Sequence, residues 1–128
     1  MKSIVLAFFL IVCFRTEINA QDFVGANDRE KKVLRLINAL PEIVKENQYR
    51  KKAHVKYLLK ACIQDAPTKT ENYYKVSVSE DLGFQLRTYD WYEVDARNYN
   101  IKYFDMITGK SISLAAWRRQ LRNRKKGV

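Results

Sequence analysis

The amino-acid sequence predicts an α+β domain: N-terminal helices packed on a three- to four-stranded antiparallel meander, closed by a short C-terminal helix. Three observations carry that expectation. Apolar residues fall at helical spacing up to about residue 64, strand-like alternation takes over from Tyr74, and turn-forming clusters divide the remainder into short segments. With 128 residues, 47% apolar and 30% charged, the chain has the length and balance of one globular domain. A collagen-like, disordered or multi-span membrane chain is excluded on composition.

Residues 1–20 are set apart from that domain. Lys2 gives a positive start, Ile4 to Phe14 is an apolar run broken only by the thiol of Cys13, and Ala20 places a small residue before Gln21. This is the pattern of a secretory signal peptide. Eleven residues span about 16 Å as a helix, too short to cross a hydrocarbon core of about 30 Å. The chain is therefore expected to be exported, with residues 21–128 as the mature domain. Val12 before Cys13 is bulkier than lipoprotein processing favours. Removing Lys2, Arg15 and Glu17 leaves +9 on 108 residues and Cys62 as the one remaining thiol. No internal disulfide can form, and no Asn-x-Ser/Thr sequon occurs. These features point to a bacterial periplasmic or secreted protein.

The first helix is expected from Asn27 or Asp28, where the side chain can cap, with Glu30 in the first turn and Val33, Leu34, Leu36, Ile37 and Leu40 on its apolar side. Pro41 breaks it and opens a new turn. A second helix is expected over Gln48–Gln64, because Val55, Leu58, Leu59, Cys62 and Ile63 follow the i, i+3, i+4, i+7, i+8 rule, with Arg50, Lys51, Lys52, Lys56 and Lys60 opposite. That stripe is the expected cover for the sheet, with Cys62 buried in it. Residues 65–72 read as a loop. Tyr74, Val76 and Val78 alternate with polar residues, Glu80 to Gly83 reads as a turn, Phe84–Val94 as a strand, and Asn100–Asp105 as a third strand. Asp95 and Asp105 end strands, where an aspartate bonds the turn backbone. Leu114–Leu121 reads as the closing helix.

Catalytic motifs are absent from the sequence. His54 is the single histidine, Gly109-Lys110 lacks the upstream glycine of a phosphate loop, and no clustered oxygen ligands for a metal appear. No cofactor is expected. Two features point to binding. Tyr and Trp anchor partners well because they bury large area with few torsions, so Tyr89, Trp91, Tyr99, Tyr103 and Trp117 are the candidate partner surface. The second feature is charge. Residues 21–117 hold 16 basic and 13 acidic side chains, whereas Arg118, Arg119, Arg122, Arg124, Lys125 and Lys126 form a basic patch with no acid in it. Such a patch suits a helix C-terminus, an acidic protein or an anionic lipid surface. Export disfavours nucleic acid as the partner.

Tyr73-Tyr74-Lys75-Val76-Ser77-Val78, Tyr92-Glu93-Val94-Asp95, Ile101, Asp105, Thr108-Gly109-Lys110 and Ile112-Ser113-Leu114-Ala115-Ala116-Trp117-Arg118 resemble the second half of small exported bacterial domains of the cystatin-like or nuclear-transport-factor-2-like type. The Tyr-x-Val start and Val-Asp turn also look like the PepSY-like domain that inhibits peptidases. The resemblance implies a binding, inhibitory or toxin-immunity role. A non-enzymatic exported binding protein, an inhibitor or immunity protein for a toxin or effector in the periplasm, is thus the leading expectation. A cationic protein docking on anionic lipid or polymer through residues 118–126 is the alternative. An enzyme of the cone-shaped fold would need a deep pocket around a buried carboxylate such as Asp90.

Overall fold

Helix α1 (Asp28–Asn38) starts where the sequence offers a cap: Asn27 Oδ1 accepts from Glu30 N at 3.0 Å, while Glu30 Oε2 accepts from Ala26 N at 3.2 Å. This reciprocal arrangement resembles a capping box. The computed structural model describes residues 23–127, so the expected leader over residues 1–20, with Cys13, lies outside the described residues. Pro41 is the first residue of α2 (Pro41–Lys52), where its missing N–H is harmless. Val33, Leu34 and Ile37 of α1, with Leu40 and Ile43, bury the apolar side of the pair.

The second helix ends twelve residues earlier than its apolar spacing predicts. Val55 N donates to Arg50 O and His54 N to Lys51 O, with His54 left-handed at φ +56°. Those two bonds form the C-terminal lock of a Schellman motif, usually built on glycine. Leu59–Asp65 is then strand β1 rather than helix. Leu59, Ala61 and Ile63 face the helices while Cys62 turns to the opposite side, and all four are buried. A strand apolar on both faces loses its alternation, and here its residues coincide with helical spacing. Arg50, expected on a solvent face, is buried: it is ion-paired to Glu80, bonds Glu46 at 2.9 Å and donates to Tyr57 O at 3.1 Å.

Five strands, not three or four, form one antiparallel meander in the order β1-β2-β3-β4-β5. They are β1, β2 (Tyr73–Asp81), β3 (Leu86–Asp95), β4 (Ile101–Asp105) and β5 (Lys110–Ser113). Strand β2 runs through Glu80 and Asp81, read as turn from the sequence, and Phe84 stands in the hairpin rather than in β3. Asp81, Asp95 and Asp105 each accept a backbone N–H two residues on, as expected of strand-ending aspartates. Helix α3 (Leu114–Lys126) is capped by Ser113 Oγ, which accepts from Ala116 N, and runs five residues past its expected end.

The core lies on one face of the sheet. Leu59, Ala61, Ile63, Tyr74, Val76, Val78, Tyr92 and Val94 meet α1, α2 and Trp117 of α3, so the cover comes from these helices and not from the Val55–Ile63 stripe. The outer edge of β1 is closed by asparagines. Asn47 accepts from Leu59 N at 2.8 Å and donates to Leu59 O at 3.0 Å, and Asn38 accepts from Ala61 N at 2.9 Å. These side chains occupy backbone groups that would otherwise template another strand.

Candidate functional site

Besides the buried Arg50–Glu80 pair, a break in the sheet creates a second polar region on the core face. Val78 pairs with Asp90 and Ser79 with Thr88, which leaves Tyr89 as a β-bulge. The bulge turns Tyr89 and Asp90 toward the helices. Pairing between β3 and β4 stops at Trp91 and Phe104, so Asp90 is the first β3 residue beyond that pairing. A half-open cleft of about 240 Å³ lies there, bounded by the start of α2 and by the inner side of α3. Its floor is aromatic. Tyr103 stacks on Trp117 with ring centres 4.4 Å apart, and Tyr92 meets each of them edge-on at 5.8 Å.

Electrostatics single out two groups in this cleft. Burial raises the Asp90 carboxyl to about 6 from its ordinary 3.8; the hydrogen bond from Tyr103 Oη to Oδ1, at 3.0 Å, partly offsets this, and the nearby Glu42 carboxylate adds to the rise. Burial and the Asp90 charge push the Tyr103 hydroxyl up to about 12. Burial alone would raise Glu42, but Arg118, bonded to it at 2.5 Å, holds it below the ordinary carboxylate range. The Tyr92 hydroxyl is fully buried and, alone among the described buried side-chain polar atoms, has no hydrogen-bond partner. Burial, and then the Asp90 and Glu42 charges, push its ionisation upward, so it is a neutral hydroxyl. A carboxyl titrating near neutrality beside an unpaired hydroxyl can accept hydrogen bonds, hold a cation or exchange a proton.

Of the aromatic residues singled out from sequence, Tyr89, Tyr103 and Trp117 line this cleft, and Tyr89 is half exposed. Trp117 is buried and at the same time belongs to the core cluster. Tyr99 stands left-handed in the β3–β4 turn at φ +59°, with Lys32 Nζ 4.0 Å from its ring centre. Trp91 points to the other face of the sheet, where the register places Cys62, Ser77, Trp91, Phe104 and Ser111 side by side across all five strands. Next to them runs a charged row, Lys75, Glu93 and Lys102, and the Lys75 ammonium lies 5.7 Å from the Phe104 ring centre. Gln64 bonds Ser77 at 2.8 Å on this face.

The basic patch divides in two. Arg118 is tied to Glu42 and anchors α3 to α2. Arg119, Arg122, Arg124, Lys125 and Lys126 are exposed and make no ion pair with the described residues. Leu114, Trp117 and Leu121 pack the other side of the same helix on the core. Sequence reading missed Phe84, Met106 and Ile107, which stand exposed in the β2–β3 and β4–β5 hairpins at one end of the sheet. For Met106 and Ile107, apolar residues inside a turn segment were the available signal.

No group of three or more His, Cys, Asp or Glu able to hold a metal occurs among the described residues, and no described helix is long and apolar enough to cross a membrane. Compared with protein-family models, curated proteins and solved structures, the chain has no significant match.

Proposed function

We propose that the chain is an exported, non-enzymatic binding protein, an inhibitor or immunity protein that neutralises an acidic toxin or effector in the periplasm. The observation that carries this reading is the outer side of α3, where Arg119, Arg122 and Lys126 are exposed and make no ion pair with the described residues. Unpaired charge of one sign steers an oppositely charged partner and fixes its orientation. The exposed Phe84, Met106 and Ile107 add apolar contact area of the kind that interfaces bury. The helix is a firm platform, because Trp117 and the Arg118–Glu42 pair tie its first turns to the core.

Capture from periplasmic extract on the immobilised chain tests this. The expected result is one stoichiometric acidic protein that is lost when R119E, R122E and K126E are combined. No stoichiometric protein, or equal capture by the reversed variant, would overturn it. Charge reversal is preferable to trimming residues 118–126, since trimming also removes Arg118 and Leu121 from the fold.

The same helix supports a second reading, adsorption to an anionic lipid surface or polymer. Its apolar residues are turned to the core, so contact would be electrostatic, at roughly 1 kcal/mol per basic residue near the surface. Binding to phosphatidylglycerol vesicles that survives high salt would refute it.

A further inference from the structure

The Asp90 cleft is distinct from the cationic side of α3 and has features that a packed core does not need. Asp90 sits mostly out of water, and its only hydrogen bond from a described residue is that of Tyr103, to Oδ1. No cation pairs with it among the described residues. Buried carboxylates are ordinarily compensated by a cation or by several donors. A few ångströms of sheet away, Tyr92 carries an orphaned hydroxyl on a side chain with no solvent exposure. Each group alone would cost stability; both border the same cleft.

The charges around the cleft favour a positive occupant. From α2, Glu42 faces the site and its negative charge acts on both Asp90 and Tyr92. From α3, Arg118 is held by Glu42, and Arg124 lines the cleft on the Tyr103 side, where its charge acts on that hydroxyl and makes no ion pair with Asp90. From β3 and β4 come the neutral hydroxyls of Tyr89, Tyr92 and Tyr103 and the carboxylate of Asp105, whose negative charge acts on the Tyr103 hydroxyl. A volume of about 240 Å³ exceeds a water molecule's share of about 30 Å³ several-fold, so the space suits a short organic chain.

We propose that this cleft binds an alkylammonium group, with an N–H donated to the free oxygen of Asp90 and the alkyl chain lying along the Tyr89 and Tyr103 rings. An ammonium supplies the missing countercharge and has three donors to share. The group can come from a small free amine or from the lysine side chain of a protein, and the two sources share this chemistry. The inference is independent of the cationic helix.

Titration of the whole domain with n-butylammonium chloride, followed by two-dimensional amide NMR, tests it. At pH 7.5 saturable shifts should centre on Asp90, Tyr92 and Tyr103, and 1-butanol, of the same length without charge, should bind at least tenfold more weakly. The D90N variant should lose at least tenfold in affinity. Lowering the pH to 5 should weaken binding about tenfold, because Asp90 takes up its proton near 6. His54, the single histidine, stands beyond the opposite end of α2, about 18 Å from Glu42 along the helix axis, and does not face the cleft. A parallel titration with Nα-acetyl-lysine methylamide separates the sources: binding comparable to butylammonium assigns a lysine side chain, and binding of butylammonium alone assigns a free amine. Absence of saturable shifts, equal binding of butanol, or unchanged affinity in D90N overturns the proposal.

Discussion

Replacing Asp90 with asparagine is expected to stabilise the protein, and to do so only above a definite pH. The carboxyl titrates at about 6 in the fold against an ordinary 3.8. At 1.36 kcal/mol per pH unit this difference amounts to about 3 kcal/mol, and contact with water through the half-open cleft reduces it to ~1.5 kcal/mol. An acid with a raised folded-state pKa holds its proton more tightly in the fold. Its contribution is therefore present below pH 3.8 and is lost as the pH rises through about 6. Asparagine keeps the shape, still accepts from Tyr103 and carries no charge. Urea denaturation of both proteins, followed by circular dichroism, should give equal stabilities near pH 4 and D90N ahead by ~1.5 kcal/mol near pH 7.5, or roughly 6 °C in Tm for a domain of this size. Equal stability at pH 7.5, or an advantage that persists unchanged at pH 4, would refute the burial of an uncompensated carboxylate.

Three further perturbations test the scaffold. Arg50→Met leaves Glu80 buried with only the exposed Arg87, at 3.4 Å, as partner, and is expected to cost about 3 kcal/mol in chemical denaturation; R50M combined with E80M should recover most of it. His54→Gly is expected to gain ~0.5–1 kcal/mol in thermal unfolding, because the left-handed position that closes α2 then carries no side-chain penalty. Asn47→Ala removes two hydrogen bonds from the outer edge of β1 and should cost about 2 kcal/mol, with concentration-dependent association visible by light scattering.

The α+β class, the break at Pro41, the aspartate turns and the closing helix were legible because each rests on a local signal. Proline fixes the backbone, Asp95 and Asp105 bond their own turns, and the alternation at Tyr74, Val76 and Val78 survives because one face of β2 is lined by Lys75, Ser77 and Ser79. Strand β1 was not legible. Ala61, Cys62 and Ile63 are all buried, and the preceding turn is closed by His54 where the usual signal is glycine. Strand β5 has four residues and follows a turn directly, so it shows no periodicity of its own. Arg50 lies among lysines in sequence and was indistinguishable from them until the fold brought Glu80, thirty residues away, against it. The cleft is a product of pairing: it needs the bulge at Tyr89 and the early end of the β3–β4 pairing, both set by register between strands. Asp90 was recognisable as a carboxylate of interest, but the orphaned hydroxyl of Tyr92 was not.

The binding role rests on the uncompensated cations of α3, and the affinity for the captured partner as a function of salt measures their contribution directly. The wild-type protein should lose affinity steeply as salt rises, since exposed charges are screened over about 10 Å at 0.1 M. The R119E, R122E and K126E combination, folded as judged by circular dichroism, should bind at least a hundredfold more weakly at low salt. A partner held with the same affinity by both proteins and indifferent to salt would contradict that role.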